Sequence, residues 1–133
     1  MDIEINWLAV ALATVAGIIV GRIWYEPKLF TGALWTKLTG VEKGNKPTIV
    51  VFVVSTFITA LLFAVAVAIT SAHFNNDSLW LALLVGFVVW LGFSIPTLAP
   101  HNGFELKPVK LTVLNSVYQL VLFLAMTLVI GLL

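Results

Sequence analysis

Apolar residues run almost unbroken through four stretches of the chain, at positions 5–25, 49–72, 79–99 and 111–133, and polar residues gather between them. Each stretch reaches the roughly 20 residues that an α-helix needs to cross the hydrocarbon core of a bilayer. Backbone N–H and C=O groups find no water there, so a spanning segment must pair them within itself, as a helix does. The pattern predicts an all-α integral membrane fold, a single transmembrane domain over 1–133 with four transmembrane helices in two hairpins. A shorter segment, 28–38, follows Pro27, a residue suited to the first turn of a helix. Leu29, Phe30, Ala33, Leu34 and Leu38 recur there at helical spacing, with Trp35 and Lys37 beside them. That spacing predicts a cytoplasmic amphipathic helix lying on the membrane surface. Gly40 would end it, and Gly44-Asn45-Lys46-Pro47 reads as the turn into span 2.

Small residues mark how the spans meet. Span 1 carries Ala9, Ala13, Gly17 and Gly21 at every fourth position, and span 2 carries Thr56, Ala60, Ala64, Ala68 and Ala72 likewise. Such rows let helix backbones approach closely in lipid. Read antiparallel, Ala9 meets the Ala72 end and Gly21 the Thr56 end; one row could instead serve a homo-oligomer contact. Span 3 holds Pro96 and Pro100, which predicts a bend or early ending over 94–100 and a loop over 100–110. Trp7 and Trp80 at one pair of span ends, and Trp24 with Tyr25 at the other, read as interfacial anchors. Trp90, in mid-span, reads as a helix-packing residue or a ligand contact.

Composition agrees with burial in lipid: 61% of the residues are hydrophobic, 10% are charged, and the mean hydropathy is +1.10. So few charges cannot clothe a water-soluble sphere. A net charge of +1 provides no field for nucleic acid. Cysteine is absent, which removes thiolate catalysis and Cys-based metal sites. His73 and His101 are too few and too far apart for a local zinc site. No cofactor is expected, and no nucleophile–base pair assembles, so an enzyme is the least supported class. Asp2 and Glu4 stand where a signal peptide needs cations, so span 1 is expected to stay in the protein.

The charges that do exist are one-sided. Arg22, Lys28, Lys37, Lys43 and Lys46 lie at or after the end of span 1, and Lys107 and Lys110 lie between spans 3 and 4. The two ends of the chain and the 73–78 connection hold no Lys or Arg. The positive-inside rule then places both basic loops in the cytoplasm and both termini outside, in the cell membrane.

Polar residues inside the spans are the candidate chemistry. Asn115 and Gln119 sit one turn apart near the basic end of span 4, and Ser94 and Thr97 flank the proline bend. Arg22 and Glu26, four apart, read as an intrahelical pair or a rim, with Asn102 and Glu105 in the loop above. These residues could line a crevice open to the cytoplasm, or could simply join helices by hydrogen bonds. No ionisable group lies at mid-depth in any span, which argues against proton-coupled transport. It also excludes the small multidrug-resistance transporters, which need a carboxylate in the first helix.

A weaker signal is duplication. A shift of 61 residues lays Lys46-Pro47 on Lys107-Pro108 and Ser55 on Ser116, and a shift of 73 lays Trp7 on Trp80 and Pro27 on Pro100. Apolar sequences match one another readily, so duplication stays open.

Asn6-Trp7, Gly17, Gly21, Trp24-Tyr25, Pro27, Leu29-Phe30-Thr31-Gly32, Trp35, Leu38 and Gly40 form one distinctive pattern. Trp90-Leu91-Gly92-Phe93, Phe104-Glu105, Lys107-Pro108, Leu111, Asn115 and Tyr118 form a second. Together they resemble the prokaryotic small four-span membrane proteins known as domain of unknown function 1761. The resemblance implies the topology and no activity. Here Pro100-His101-Asn102-Gly103 replaces that family's more apolar approach to Phe104. Two functional classes remain. One is a module that binds or transports a small polar or amphipathic solute; the other is a structural or accessory subunit. Partners are the lipid bilayer and either a second copy, as a dimer, or a larger membrane protein.

Overall fold

A computed structural model describes residues 5–26, 30–39 and 46–133. The described residues are α-helical throughout, apart from one π-helical turn and short connections. The order is α1 Trp7–Trp24, α2 Phe30–Thr39, α3 Lys46–Phe74, α4 Leu79–Val89, the π turn Trp90–Ser94, α5 Ile95–Phe104 and α6 Val109–Leu132. Four segments are long and apolar enough to cross a bilayer: Trp7–Trp24, Ile49–Phe74, Leu79–Phe104 and Val109–Leu132. The helix start at Pro27 and the turn read at Gly44-Asn45 lie outside the described residues.

Local chemistry explains the helix ends. Asn6 caps α1, its Oδ1 accepting from the Ala9 N–H at 3.2 Å, and Ser78 caps α4, its Oγ accepting from the Leu81 N–H at 3.3 Å. Helices α3 and α5 both stop on a left-handed residue, Asn75 (φ 50°) and Leu106 (φ 58°). The next N–H then reaches back along the helix: Asn76 to the Ser71 carbonyl at 3.0 Å, Lys107 to the Asn102 carbonyl at 2.9 Å. Threonines inside the spans bond to their own helix; Thr14, Thr56, Thr70 and Thr127 each donate to the carbonyl four residues back.

Helix α6 forms the centre and touches all of the other helices. Helices α1 and α4 lie on opposite sides of the α3–α6 pair and do not touch one another. The buried core joins Val10 and Ala13 of α1, Ala60, Phe63 and Ala64 of α3, and Tyr118, Leu122 and Met126 of α6. Ala9, Ala13, Gly17 and Gly21 are all buried, as are Thr56, Ala60 and Ala64. Ala68 is half-buried and Ala72 exposed. A Cβ on Gly17 would come within 2.7 Å of Thr56, and one on Gly21 within 2.5 Å of Phe52, so α1 and α3 run antiparallel in close contact. The row of span 1 and the Thr56–Ala64 part of the row of span 2 are thus occupied inside the chain.

Span 3 departs from the sequence reading. The early ending is not found: the span does not stop over 94–100, and α5 carries on through Pro100 to Phe104. Pro96 lacks an N–H and its ring would collide with the carbonyl four residues back in a regular helix. The wide turn at Trp90–Ser94 absorbs this, with the Ile95 N–H reaching the Trp90 carbonyl. The expected 100–110 loop shrinks to the residues between Phe104 and Val109. Arg22 and Glu26 also miss the expected pairing. Helix α1 ends at Trp24, so Glu26 is no longer one helical turn beyond Arg22.

Candidate functional site

The end of the bundle that carries Arg22, Lys37, Lys107 and Lys110 also concentrates its polar and aromatic side chains. Tyr25, the residue after α1, is its hub. Its hydroxyl donates to Asn115 Oδ1 of α6 at 2.8 Å. Its ring meets Trp35 of α2 edge-on at 5.0 Å and Tyr118 of α6 at 4.9 Å. Trp24 lies 6.2 Å from the same Tyr118 ring. One side chain therefore fastens α1, α2 and α6 together, through a polar tip and an apolar body.

Helix α2 is held by a second device. Thr31 Oγ1 donates to the Trp24 carbonyl at 2.6 Å. Beside it, Gly32 is buried directly against the backbone of Tyr25 and Glu26, where a Cβ would strike the Glu26 carbonyl group. Thr31-Gly32 lets the start of α2 fold back onto the end of α1.

On the other side of α6, Trp90 Nε1 donates to the Ser116 carbonyl at 2.6 Å, so Trp90 serves as a helix-packing residue. Asn102, expected in a loop, is buried in the last turns of α5, and its Nδ2 donates to Thr112 Oγ1 at 3.0 Å. Thr97 donates to the Phe93 carbonyl of its own helix. Glu105 is exposed between Lys107 (2.8 Å) and His101 (3.1 Å). The hydrogen bond and charge of Lys107 hold its carboxyl below the usual glutamate range, with His101 adding to the effect.

The predicted crevice residues thus divide. Asn115, Thr97 and Asn102 have protein partners, and Glu105 belongs to a surface ion pair. Gln119 and Ser94 are half-buried with no hydrogen-bond partner among the described residues; Arg22 is exposed and Glu26 half-buried. None of these residues lines either of two cavities found among the described residues. One, of about 330 Å³, lies at the basic end between α2 and α6, lined by Trp24, Thr31, Leu34, Val109, Lys110, Val113, Leu114 and Val117. The other, of about 320 Å³, is at the opposite end, beside Asn6, Ala9, Ala68, Asp77 and Leu133. Sequence reasoning missed Tyr25 and Trp35 as site residues. The signal available was a tyrosine at a helix end, whose hydroxyl needs a partner when its ring is buried. Among the described residues, no group of His, Cys, Asp and Glu could hold a metal ion.

A family model described as a protein of unknown function (DUF1761) matches residues 8–131. The chain belongs to that family. No curated protein and no solved structure matches it. In this DUF1761 member, the matched region takes in the Tyr25–Asn115 bond, the Thr31-Gly32 contact and the Trp90–Ser116 bond, so the pattern read in the sequence coincides with helix-joining contacts.

Proposed function

We propose that this protein is a structural or accessory subunit of the cell membrane, with its basic end cytoplasmic and both termini outside. In this reading its polar side chains join helices, and its exposed apolar faces meet lipid and another membrane protein, either a second copy or a larger partner. One observation carries it: the Tyr25–Asn115 bond uses a side-chain amide of α6 to tie three helices, rather than leaving it open to a solute. The absence of an ionisable side chain at mid-depth agrees, because coupling to protons usually relies on one. The faces available to a partner include Leu62 and Ile58 on α3 and Leu84 and Val88 on α4, all about half exposed. The internal use of the span 1 row, of the Thr56–Ala64 part of the span 2 row and of Trp90 leaves these faces as the ones to test. A solute-binding reading draws its support from Gln119 and Ser94, which are half-buried with no hydrogen-bond partner among the described residues.

Unfolding of the detergent-solubilised protein tests the joining role. Tyr25→Phe and Asn115→Leu should each destabilise, with a coupling of about 0.6–1.7 kcal/mol in a double-mutant cycle. The natural chain has no cysteine, so single cysteines at Leu62 and Leu84 can be crosslinked in native membranes. A homodimer or a heavier specific product is expected from at least one face. A fully stable Asn115→Leu, or no crosslink from either position, would overturn the reading.

A further inference from the structure

The groove between α2 and α6 has no role in that reading, and its chemistry is specific. Its walls are almost wholly apolar: Leu34 of α2 and Val109, Val113, Leu114 and Val117 of α6. Its volume of about 330 Å³ falls at the lower end of the range for small-ligand sites. Three lining residues carry polar side-chain groups. Thr31 already spends its hydroxyl on the Trp24 carbonyl. Trp24 has a shielded indole N–H with no acceptor among the described residues. Lys110 is exposed, and none of the described carboxylates forms an ion pair with it; Glu105 is engaged by Lys107 and His101. The groups left to a ligand are therefore donors, one of them cationic, at the mouth of an apolar slot.

The slot also lies where a lipid can reach it. Val109 and Leu106 are largely exposed although apolar, and they flank the cations Lys107 and Lys110. Apolar and basic side chains alternating at the end of a spanning helix suit the boundary between acyl chains and headgroups.

We propose that the α2–α6 groove is a binding site for one anionic phospholipid, with an acyl chain between Leu34 and Val113 and the phosphate at Lys110. The lipid would complete the packing of α2 against α6, which described side chains leave partly unfilled. A zwitterionic lipid has the same tails but brings its own cation towards Lys110, so it should bind less well.

The test uses the full chain in mild detergent, mixed with equal amounts of phosphatidylglycerol and phosphatidylcholine of identical tails, and reads retained lipid by native mass spectrometry. Phosphatidylglycerol should be retained about fivefold over phosphatidylcholine, the preference expected of one lysine near an anionic headgroup. Lys110→Gln should bring that ratio close to unity while the melting temperature in lipid-free detergent stays unchanged. Val113→Trp, which fills the slot, should lose the retained copy of both lipids; Val117→Trp serves if the first variant does not fold. Equal retention of the two lipids by the natural protein would overturn the proposal. So would a preference that survives both the charge and the filling variants, since the lipid then sits elsewhere. Displacement by glycerol phosphate alone would overturn it too, by showing a site for a small anion without a tail.

Discussion

Gly32 shows how one missing methyl group can set the position of a whole element. Its α-carbon faces the carbonyl group of Glu26 and the carbonyl carbon of Tyr25, and backbone cannot step aside as a flexible side chain can. Adding a methyl into a filled space typically costs about 1–3 kcal/mol even where side chains can adjust. Gly32→Ala should therefore destabilise by at least the upper part of that range or release α2 from α1. Loss of the Tyr25–Trp35 contact would follow, and limited proteolysis near α2 together with thermal unfolding would detect it. Gly86 is a useful contrast. A Cβ there would first meet the Thr127 side chain, Oγ1 at 2.7 Å and Cγ2 at 3.1 Å, with the Phe123 carbonyl at 3.2 Å. Part of that crowding can relax by a rotamer change, so Gly86→Ala should cost less than Gly32→Ala in the same experiment.

The π turn at Trp90–Ser94 is the clearest case at the level of elements. In a regular α-helix each residue turns about 100°, so Trp90 and Asn102 would point about 120° apart. A π turn takes in one extra residue without the matching rotation, which brings the two directions to within about 20°. Both side chains can then bond to α6, Trp90 at Ser116 and Asn102 at Thr112. The prolines that read as a bend or early ending are accommodated by the feature that aligns the two halves of the span. The start of the same span offers a simpler test. Ser78→Ala removes the cap of α4 and should cost about 0.5–2 kcal/mol, while Ser78→Gly should cost only a few tenths. No loss in either variant in thermal unfolding would mean that the cap bond at Leu81 contributes nothing.

At the scale of the molecule, charge sets the expected orientation and helix packing cannot. All seven Lys and Arg residues belong to the 22–46 and 107–110 segments, so the positive-inside rule acts on the two connections at one end. A cysteine at Asn76 should react with a membrane-impermeant maleimide in intact cells, and one at Lys107 only after the membrane is breached. The reverse pattern would invert the orientation while leaving every helix–helix contact unchanged.

Four spans and the small-residue face of α1 were legible in the sequence because each depends on composition and spacing within one segment. Ala9, Ala13, Gly17 and Gly21 share a face by helical periodicity alone, and that face is buried. Family membership was legible too, because its pattern is carried by residues such as Thr31-Gly32 and Asn115. The partners of those residues were not. Asn115 reads as half of a pair with Gln119, one turn away, yet its bond is to Tyr25, 90 positions earlier in the chain. Asn102 reads as a loop residue because a helix was not expected to pass Pro100, yet α5 continues and Asn102 bonds to Thr112 of α6. Periodicity along one helix states which face is polar. Only the packing of several helices decides what that face meets, because in lipid a polar side chain takes whichever partner the tertiary fold brings within reach.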